Sequence, residues 1–299
     1  VHGIAWLMQR TLKTTGPETL SAAANIFVGQ TEAPLVIKPY LRRMTTSELN
    51  AVMVGGFATI SGSLLVAFVN MGVDAGHLLT ACVISAPAAL VMAKVLVPVD
   101  PEEAINRSTS EGIDEDKLEA PPNLIGAASQ GASDGLQLAL NVGAMLIAFL
   151  ALIAMLDWII GSIGIVFGFV ENGNATLNLS IILGYAFAPF AFLLGIDAKE
   201  SVAAGQLLGI KVVGNEFIAF QQLGSMIQSP DNPLSLRTQI IMTYALAGFS
   251  NLGAIGIQVG GIGGLIPERK AEIARLGLRA MIGGALACNM TGCVAGVIL

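Results

Sequence analysis

Charge is what this sequence has least of. Only 12% of its 299 residues are Asp, Glu, Lys or Arg, against about 25% in a soluble domain, which excludes a surface that faces water on all sides. Histidine is nearly absent as well. With only His2 and His77, no HExxH string, and no Ser-His or paired-Asp arrangement in facing segments, the common hydrolytic and metalloenzyme chemistries lack their residues. The three cysteines, Cys82, Cys288 and Cys293, lie in apolar runs without metal-like spacing to either histidine, so they read as core packing. No secretory signal is visible: the chain opens with Val1 and a short basic segment containing Arg10 and Lys13. The missing initiator Met leads us to expect membrane segments upstream.

What is present is apolar. Hydrophobic residues make up 54% of the chain, and uncharged stretches run over 49–73, 75–93, 135–156, 172–196, 238–267 and 280–299. Each is long enough to cross a hydrocarbon core of ~30 Å, which takes about 20 helical residues. The 35 glycines suit close approach of helix backbones in lipid. The net charge of -6 comes largely from 100–119, flanked by Pro98, Pro101, Pro121 and Pro122, which reads as a solvated linker. The run Gly260 to Gly264 lacks the Lys-Ser/Thr of a P-loop and reads as a packing or turn feature.

Loops rich in Lys and Arg stay in the cytoplasm. Lys38 to Arg43 and Glu268 to Arg279 qualify. Both are cytoplasmic if the runs 49–73, 75–93, 135–156 and 238–267 cross fully and 172–196, with the segment after it, enters and leaves by one face.

Two segments break that pattern. Residues 21–37 carry Asn25, Gln30, Thr31 and Glu32 in the middle of an apolar stretch too short to cross twice, and 202–220 carry Asn215 and Glu216 in the same setting. An intramembrane carboxylate is a functional candidate by default, and non-helical backbone at that depth is tolerated only beside a cavity. Val28-Gly29-Gln30-Thr31-Glu32 precedes Gly56-Phe57-Ala58-Thr59-Ile60, just as Val213-Gly214-Asn215-Glu216 precedes Gly248-Phe249-Ser250-Asn251. This order predicts an internal repeat of hairpin, broken helix and helix. The charge-based topology makes the repeat inverted, as in many secondary transporters.

The strings GQTEAPLVIKPYL, GGFATISGS, LNVGAMLIAFLALIAMLDWIIG, KVVGNEFIAF and ALAGFSNLGAIGI together resemble the concentrative nucleoside transporter family over essentially the whole chain. The resemblance implies a homotrimer whose subunits each hold a site between two hairpins and two broken helices. By that resemblance Gln30, Thr31 and Glu32 hydrogen-bond the nucleobase, Phe249 contacts it, and Leu64 closes the apolar side. Glu216 and Asn251 bind ribose hydroxyls, while Asn25, Val28, Thr59 and Ile60 form a sodium site, Val28 and Ile60 through their carbonyls. Ala254 stands where a ribose-contacting serine is expected, and Gly29 with the Thr59-Ile60 pair resembles members that accept both purine and pyrimidine nucleosides.

The expected fold is therefore an all-α membrane protein, an inverted repeat of re-entrant hairpin, broken helix and helix with a long scaffold helix. The expected division is an interfacial helix over 1–15, a first repeat over 16–99, a cytoplasmic linker over 100–130, scaffold helix and extracellular segment over 131–178, and a second repeat over 179–299. The expected activity is sodium-coupled nucleoside import by alternating access in a plasma membrane, bacterial inner membrane foremost, with no cofactor besides the coupling ion and no nucleic-acid partner. A proton carried on Glu32 or Glu216 stays open as the alternative coupling ion. A membrane-embedded enzyme, a channel and a non-transporting receptor are the competing classes.

Overall fold

The computed structural model of the protein describes residues 2–12, 14–102, 123–171, 174–175, 177–230 and 234–299. Beyond Glu102 the acidic linker lies outside these residues. Two compact units emerge, Val1–Glu111 with Leu183–Leu299, and Gly112–Ile182.

In the second unit, helix α8 covers Leu124–Val166, 43 residues, or about 65 Å at 1.5 Å per residue. It begins inside the stretch read as linker, because Asn123 caps it by accepting from the Gly126 amide at 2.7 Å. Strands β1 (Val170–Glu171) and β2 (Asn174–Ala175) pair antiparallel. Among the described residues this two-residue ladder is the exception to an all-α fold. Asp157 accepts from the Leu179 amide at 2.7 Å and so anchors the segment that follows the ladder.

The first unit begins with α1 (His2–Leu12) and α2 (Gly16–Asn25), continues through an irregular tip to α3 (Ala33–Val36) and α4 (Lys38–Leu41), and then enters α5 (Thr46–Ala58). Thr45 and Glu48 form a capping box on α5, with Thr45 N–H donating to Glu48 at 2.7 Å. After a break, a 3-10 turn at Gly62–Leu64 leads into α6 (Leu65–Asn70), and α7 (Ala75–Leu96) returns. The second half repeats the order with α9 (Leu179–Leu193), which precedes a hairpin of α10 (Ser201–Val213) and α11 (Glu216–Gln228). A second broken helix follows as α12 (Leu236–Leu246) and α13 (Leu252–Leu265), then α14 (Lys270–Ile298). Helix α7 and the segment Pro267–Ile298 are long and apolar enough to cross a membrane.

Side-chain contacts fix which ends share a face. Buried Arg269 donates to the carbonyls of Leu41 at 2.9 Å and Met44 at 2.6 Å, and pairs with Glu272. Ser47 donates to Val97 at 2.7 Å, and Lys94 pairs with buried Glu18 at 2.6 Å. The ends of hairpin 1, the start of α5, the end of α7 and the start of α14 therefore gather on one face. The two basic loops singled out by charge lie together there, with Arg42 and Glu268 3.0 Å apart. At the far end of α14, roughly 40 Å along the helix, Arg237 donates to Gly195 and Gly296. Ser235 donates to Glu200 at 3.0 Å, and Gln228 to Met71 at 3.2 Å. The ends of hairpin 2 sit on this second face, so the two hairpins enter from opposite faces.

The broken helices touch at their breaks. A Cβ on Gly248 would lie 2.5 Å from Cys288 Sγ, 2.7 Å from the Phe57 carbonyl oxygen and 2.9 Å from the Ala58 carbonyl carbon. Gly248→Ala is expected to destabilise the protein by about 1–3 kcal/mol, the scale of overpacking a core. Gly256→Ala, with nothing within 4 Å of the new methyl, should be neutral or slightly stabilising. Thermal unfolding of the detergent-solubilised variants checks this, and equal melting temperatures would refute the close approach.

Candidate functional site

Several interior helix ends among the described residues are shaped by residues singled out in the sequence. Asn215 is extended (φ -162°, ψ 172°) and accepts from the Ile218 amide at 2.9 Å, starting α11. Asn251 does the same for α13, accepting from the Ala254 amide at 2.8 Å. An asparagine fits both positions because its side-chain oxygen satisfies an amide that the first helical turn leaves unpaired. At α5 the helix stops at Thr59, which is extended (φ -130°, ψ 138°).

With its oxygen engaged in the cap, Asn251 has its amide nitrogen free to donate, and it does so to Glu216 Oε2 at 2.9 Å and to the Phe249 carbonyl at 3.3 Å. Glu216 is the first residue of α11 and only 6% exposed, so the helix N-terminus favours its negative charge. Buried Lys211 on α10 donates to the Ala245 carbonyl at 2.8 Å. A carboxylate offers about four acceptor sites, so Asn251 leaves most of Glu216's capacity for a ligand's hydroxyls. Phe249 is half-buried beside this pair. Phe68 stacks on Phe220 at 4.3 Å and meets Phe217 at 6.1 Å, which brings α6, with Leu64 one turn earlier, against hairpin 2.

A second polar cluster forms at the tip of hairpin 1. Gln30, 8% exposed, accepts from Gln258 Nε2 at 3.1 Å, and the same nitrogen donates to the Met53 carbonyl at 3.0 Å. Thr31 packs on α13, where a Cβ on Gly261 would come within 3.1 Å of its methyl. Glu32 tucks its carboxylate beneath Gly29, at a distance that a Cβ there would violate. Its Oε2 is buried with no hydrogen-bond partner among the described residues, a costly state for a carboxylate oxygen unless a ligand, a cation or a proton completes it.

Helix α13 joins the clusters. Its buried residues include Ala254, Gln258 and Ile262, one face at intervals of four. Asn251 and Gln258 are seven residues apart, or on the order of 10 Å along the axis. A carboxylate–amide pair thus stands at one level of the helix and an amide–amide pair two turns further along it.

The four residues expected to hold a cation gather around the other break. Asn25 is buried and donates to the Gly55 carbonyl at 2.7 Å, which turns its side-chain oxygen away from that bond. A Cβ on Gly62 would lie 3.0 Å from the Phe27 carbonyl, so the tip carrying Val28 lies against the break carrying Thr59 and Ile60. Thr59 shares a 2.6 Å hydrogen bond with Ser85 on α7. Among the described residues no backbone amide donates to the carbonyls of Val28 or Ile60. One amide oxygen, one hydroxyl and these two carbonyls are the kind of hard oxygens that could hold a sodium ion.

Sequence reasoning missed Gln258, Lys211 and Ser85. The signal for Gln258 was present, since it is the one polar side chain between Asn251 and Glu268 in an apolar helix. For the other two, nothing in the local pattern marks a functional contact.

Comparison with known proteins identifies the family. The model for the C-terminus of Na+-dependent nucleoside transporters matches residues 77–296, and a nucleoside-recognition gate model matches residues 1–74. Solute carrier family 28 member 3 of Eptatretus stoutii is 42% identical over 99% of this chain, and an uncharacterised transporter of Haemophilus influenzae is 43% identical over 98%. The chain spans 44% of the first relative's length and 68% of the second's. CNTnw in an inward-facing substrate-bound state superposes with a TM-score of 0.87 at 44% identity, covering 98% of this chain and 67% of that one. A doubly substituted CNTnw in an outward-facing state gives 0.88 at 43% identity, with the same coverage. These relatives are transporters and not enzymes. By this coverage and identity, the chain belongs to the sodium-dependent, or concentrative, nucleoside transporter family.

Proposed function

We propose that the protein containing this chain is a sodium-coupled symporter that imports purine and pyrimidine nucleosides by alternating access. The observation that carries the proposal is the Glu216–Asn251 pair, held at two helix N-termini and separated by two turns of α13 from the Gln30–Gln258 pair. In this reading Glu216 and Asn251 hold the ribose, Gln30, Thr31 and Glu32 read the base edge, and Phe249 and Leu64 cover its apolar face. Carboxylates accept from two hydroxyls at once, and an amide both donates and accepts, so the set outlines an uncharged polar solute better than an ion. With Ala254 in place of a serine, the ribose either loses one hydrogen bond there or is covered by Asn251 and water.

Sodium would sit among Asn25, Val28, Thr59 and Ile60. One cation moving inward down 100 mV contributes about 2.3 kcal/mol, enough for roughly fifty-fold accumulation. The unpartnered Oε2 of Glu32 supports the second reading, in which a proton on that carboxylate is the coupling ion. Residues 16–99 and 179–299 would be the two repeats and 1–15 an interfacial helix, with 100–130 a cytoplasmic linker and 131–178 the scaffold and extracellular segment. Leu136, Leu140, Ile147 and Leu150 are exposed along α8, and an apolar stripe of this kind needs lipid or neighbouring copies to cover it, in keeping with a multi-pass homotrimer in a bacterial inner membrane. CNTnw has inward-facing, outward-facing and intermediate states, which is the behaviour that alternating access requires.

Labelled uridine and adenosine uptake into sealed proteoliposomes tests this reading. A sodium gradient should drive accumulation of both nucleosides above equilibrium. Accumulation that follows a pH gradient and ignores sodium would select the proton reading, and no accumulation under either gradient would reject symport.

A further inference from the structure

We infer that Gln258 fixes the hydrogen-bonding polarity of Gln30, so that Gln30 presents its amide N–H groups, and not its carbonyl oxygen, to the part of the nucleobase farthest from the sugar. This inference rests on the proposed assignment of Gln30 to the base and Glu216 to the ribose.

The starting point is a group that cannot change its role. The Met53 carbonyl only accepts, and it lies 3.0 Å from the Gln258 amide. Turning that amide over would set oxygen against oxygen, so the end facing Met53 is the nitrogen. Its second hydrogen then meets Gln30 at 3.1 Å, and the Gln30 atom there has to be the acceptor. The Gln30 carbonyl oxygen is thereby occupied and its N–H groups turn the other way, where no acceptor among the described residues meets them. Gln258 itself is 0% exposed, so water does not compete for either bond.

Gly56 makes the arrangement possible. A Cβ there would lie 2.5 Å from Gln258 Nε2 and 3.0 Å from Gln30 Cβ, which leaves room for both side chains only when residue 56 has none. Three positions on three elements, the α5 backbone, α13 and the hairpin 1 tip, thus set one amide.

The consequence for the ligand follows from its shape. With the ribose at Glu216 and the Gln30 pair two turns away along α13, Gln30 reaches the ring position opposite the glycosidic bond. In a pyrimidine this is position 4, and in a purine it is position 6. A donor there favours an oxo group, as in uridine or inosine, over an amino group, as in cytidine or adenosine.

Gln258→Glu reverses the chain of logic. The new carboxyl is protonated against the Met53 carbonyl, which takes its one hydrogen, so the same oxygen offers only a lone pair to Gln30, which turns its own carbonyl toward the base. The ratio of inhibition constants for cytidine and uridine, measured against labelled nucleoside in proteoliposomes, is expected to move about tenfold toward cytidine, the scale of one neutral hydrogen bond exchanged for a mismatch. Adenosine against inosine should move the same way. Gln258→Leu releases Gln30 from either orientation and should bring both ratios toward one, which keeps the inference testable if the Glu variant does not fold. In both variants the sodium concentration for half-maximal uptake should stay within twofold of the wild type. Unchanged oxo-to-amino ratios in the folded Leu or Glu variant, with binding still lost in Gln30→Leu, would overturn the role of Gln258. Unaltered binding of every nucleoside in Gln30→Leu would overturn the site assignment beneath it.

Discussion

Glu216→Gln is expected to weaken nucleoside binding about ten- to a hundred-fold, because hydrogen bonds to a charged group contribute about 1.5–3 kcal/mol and each 1.4 kcal/mol is a factor of ten. The substitution keeps the volume of the side chain and removes its charge. One oxygen remains to accept from Asn251, which is 2.9 Å away in the wild type. The other becomes an amide that donates, and it faces hydroxyls that previously donated to it. The loss should fall on affinity with folding preserved, since the caps at Asn215 and Asn251 do not use the Glu216 side chain. Equilibrium binding of uridine to the purified protein reads the effect, and an unchanged dissociation constant would remove Glu216 from the site.

The second large effect is expected at the coupling ion. Asn25→Ala removes one oxygen of the proposed sodium site and also the tether from the hairpin 1 tip to the Gly55 carbonyl, a 2.7 Å bond buried in the protein. Loss of even an outer-shell partner at a metal site costs roughly ten- to a hundred-fold in ion affinity, and loss of a direct ligand should cost at least that. The sodium concentration for half-maximal uptake should rise by that factor, and nucleoside affinity at saturating sodium should fall by less, because the tip that carries Gln30 to Glu32 loses one tether. Thr59→Ala should act in the same direction and less strongly, because Ser85 stands 2.6 Å from its hydroxyl and can hold a water in its place. A half-saturating sodium concentration unmoved by both substitutions, with uptake that follows pH, would shift the coupling role to Glu32.

Much of the architecture could be read from the chain because its constraints are local. Intramembrane carboxylates at Glu32 and Glu216 mark the two hairpin tips, and the Gly-Phe pairs at Gly56 and Gly248 mark the broken helices. The inverted sense of the repeat came from two basic loops alone, and Arg269 joins those loops by donating to Leu41 and Met44. The start of α8 was not legible, since it depends on a capping asparagine at 123 rather than on the apolar run that begins after Asp134. Gln258 escaped for a different reason. Its place in a continuous apolar helix is visible in the sequence, but its role follows from a partner 228 residues away, and no local pattern encodes a contact at that separation. Lys211 was similarly hidden, because an isolated lysine in an apolar segment gives no sign that a carbonyl at position 245 will receive it.

In the proposed site the Glu216 carboxylate holds the sugar hydroxyls of a bound nucleoside. A ligand and protein cycle tests it directly, with the affinities of uridine and of uridine lacking its ribose 2′- and 3′-hydroxyls measured on the wild type and on Glu216→Gln. Removing the hydroxyls should cost at least tenfold in affinity in the wild type and little further in the variant. An equal loss in both proteins would contradict it.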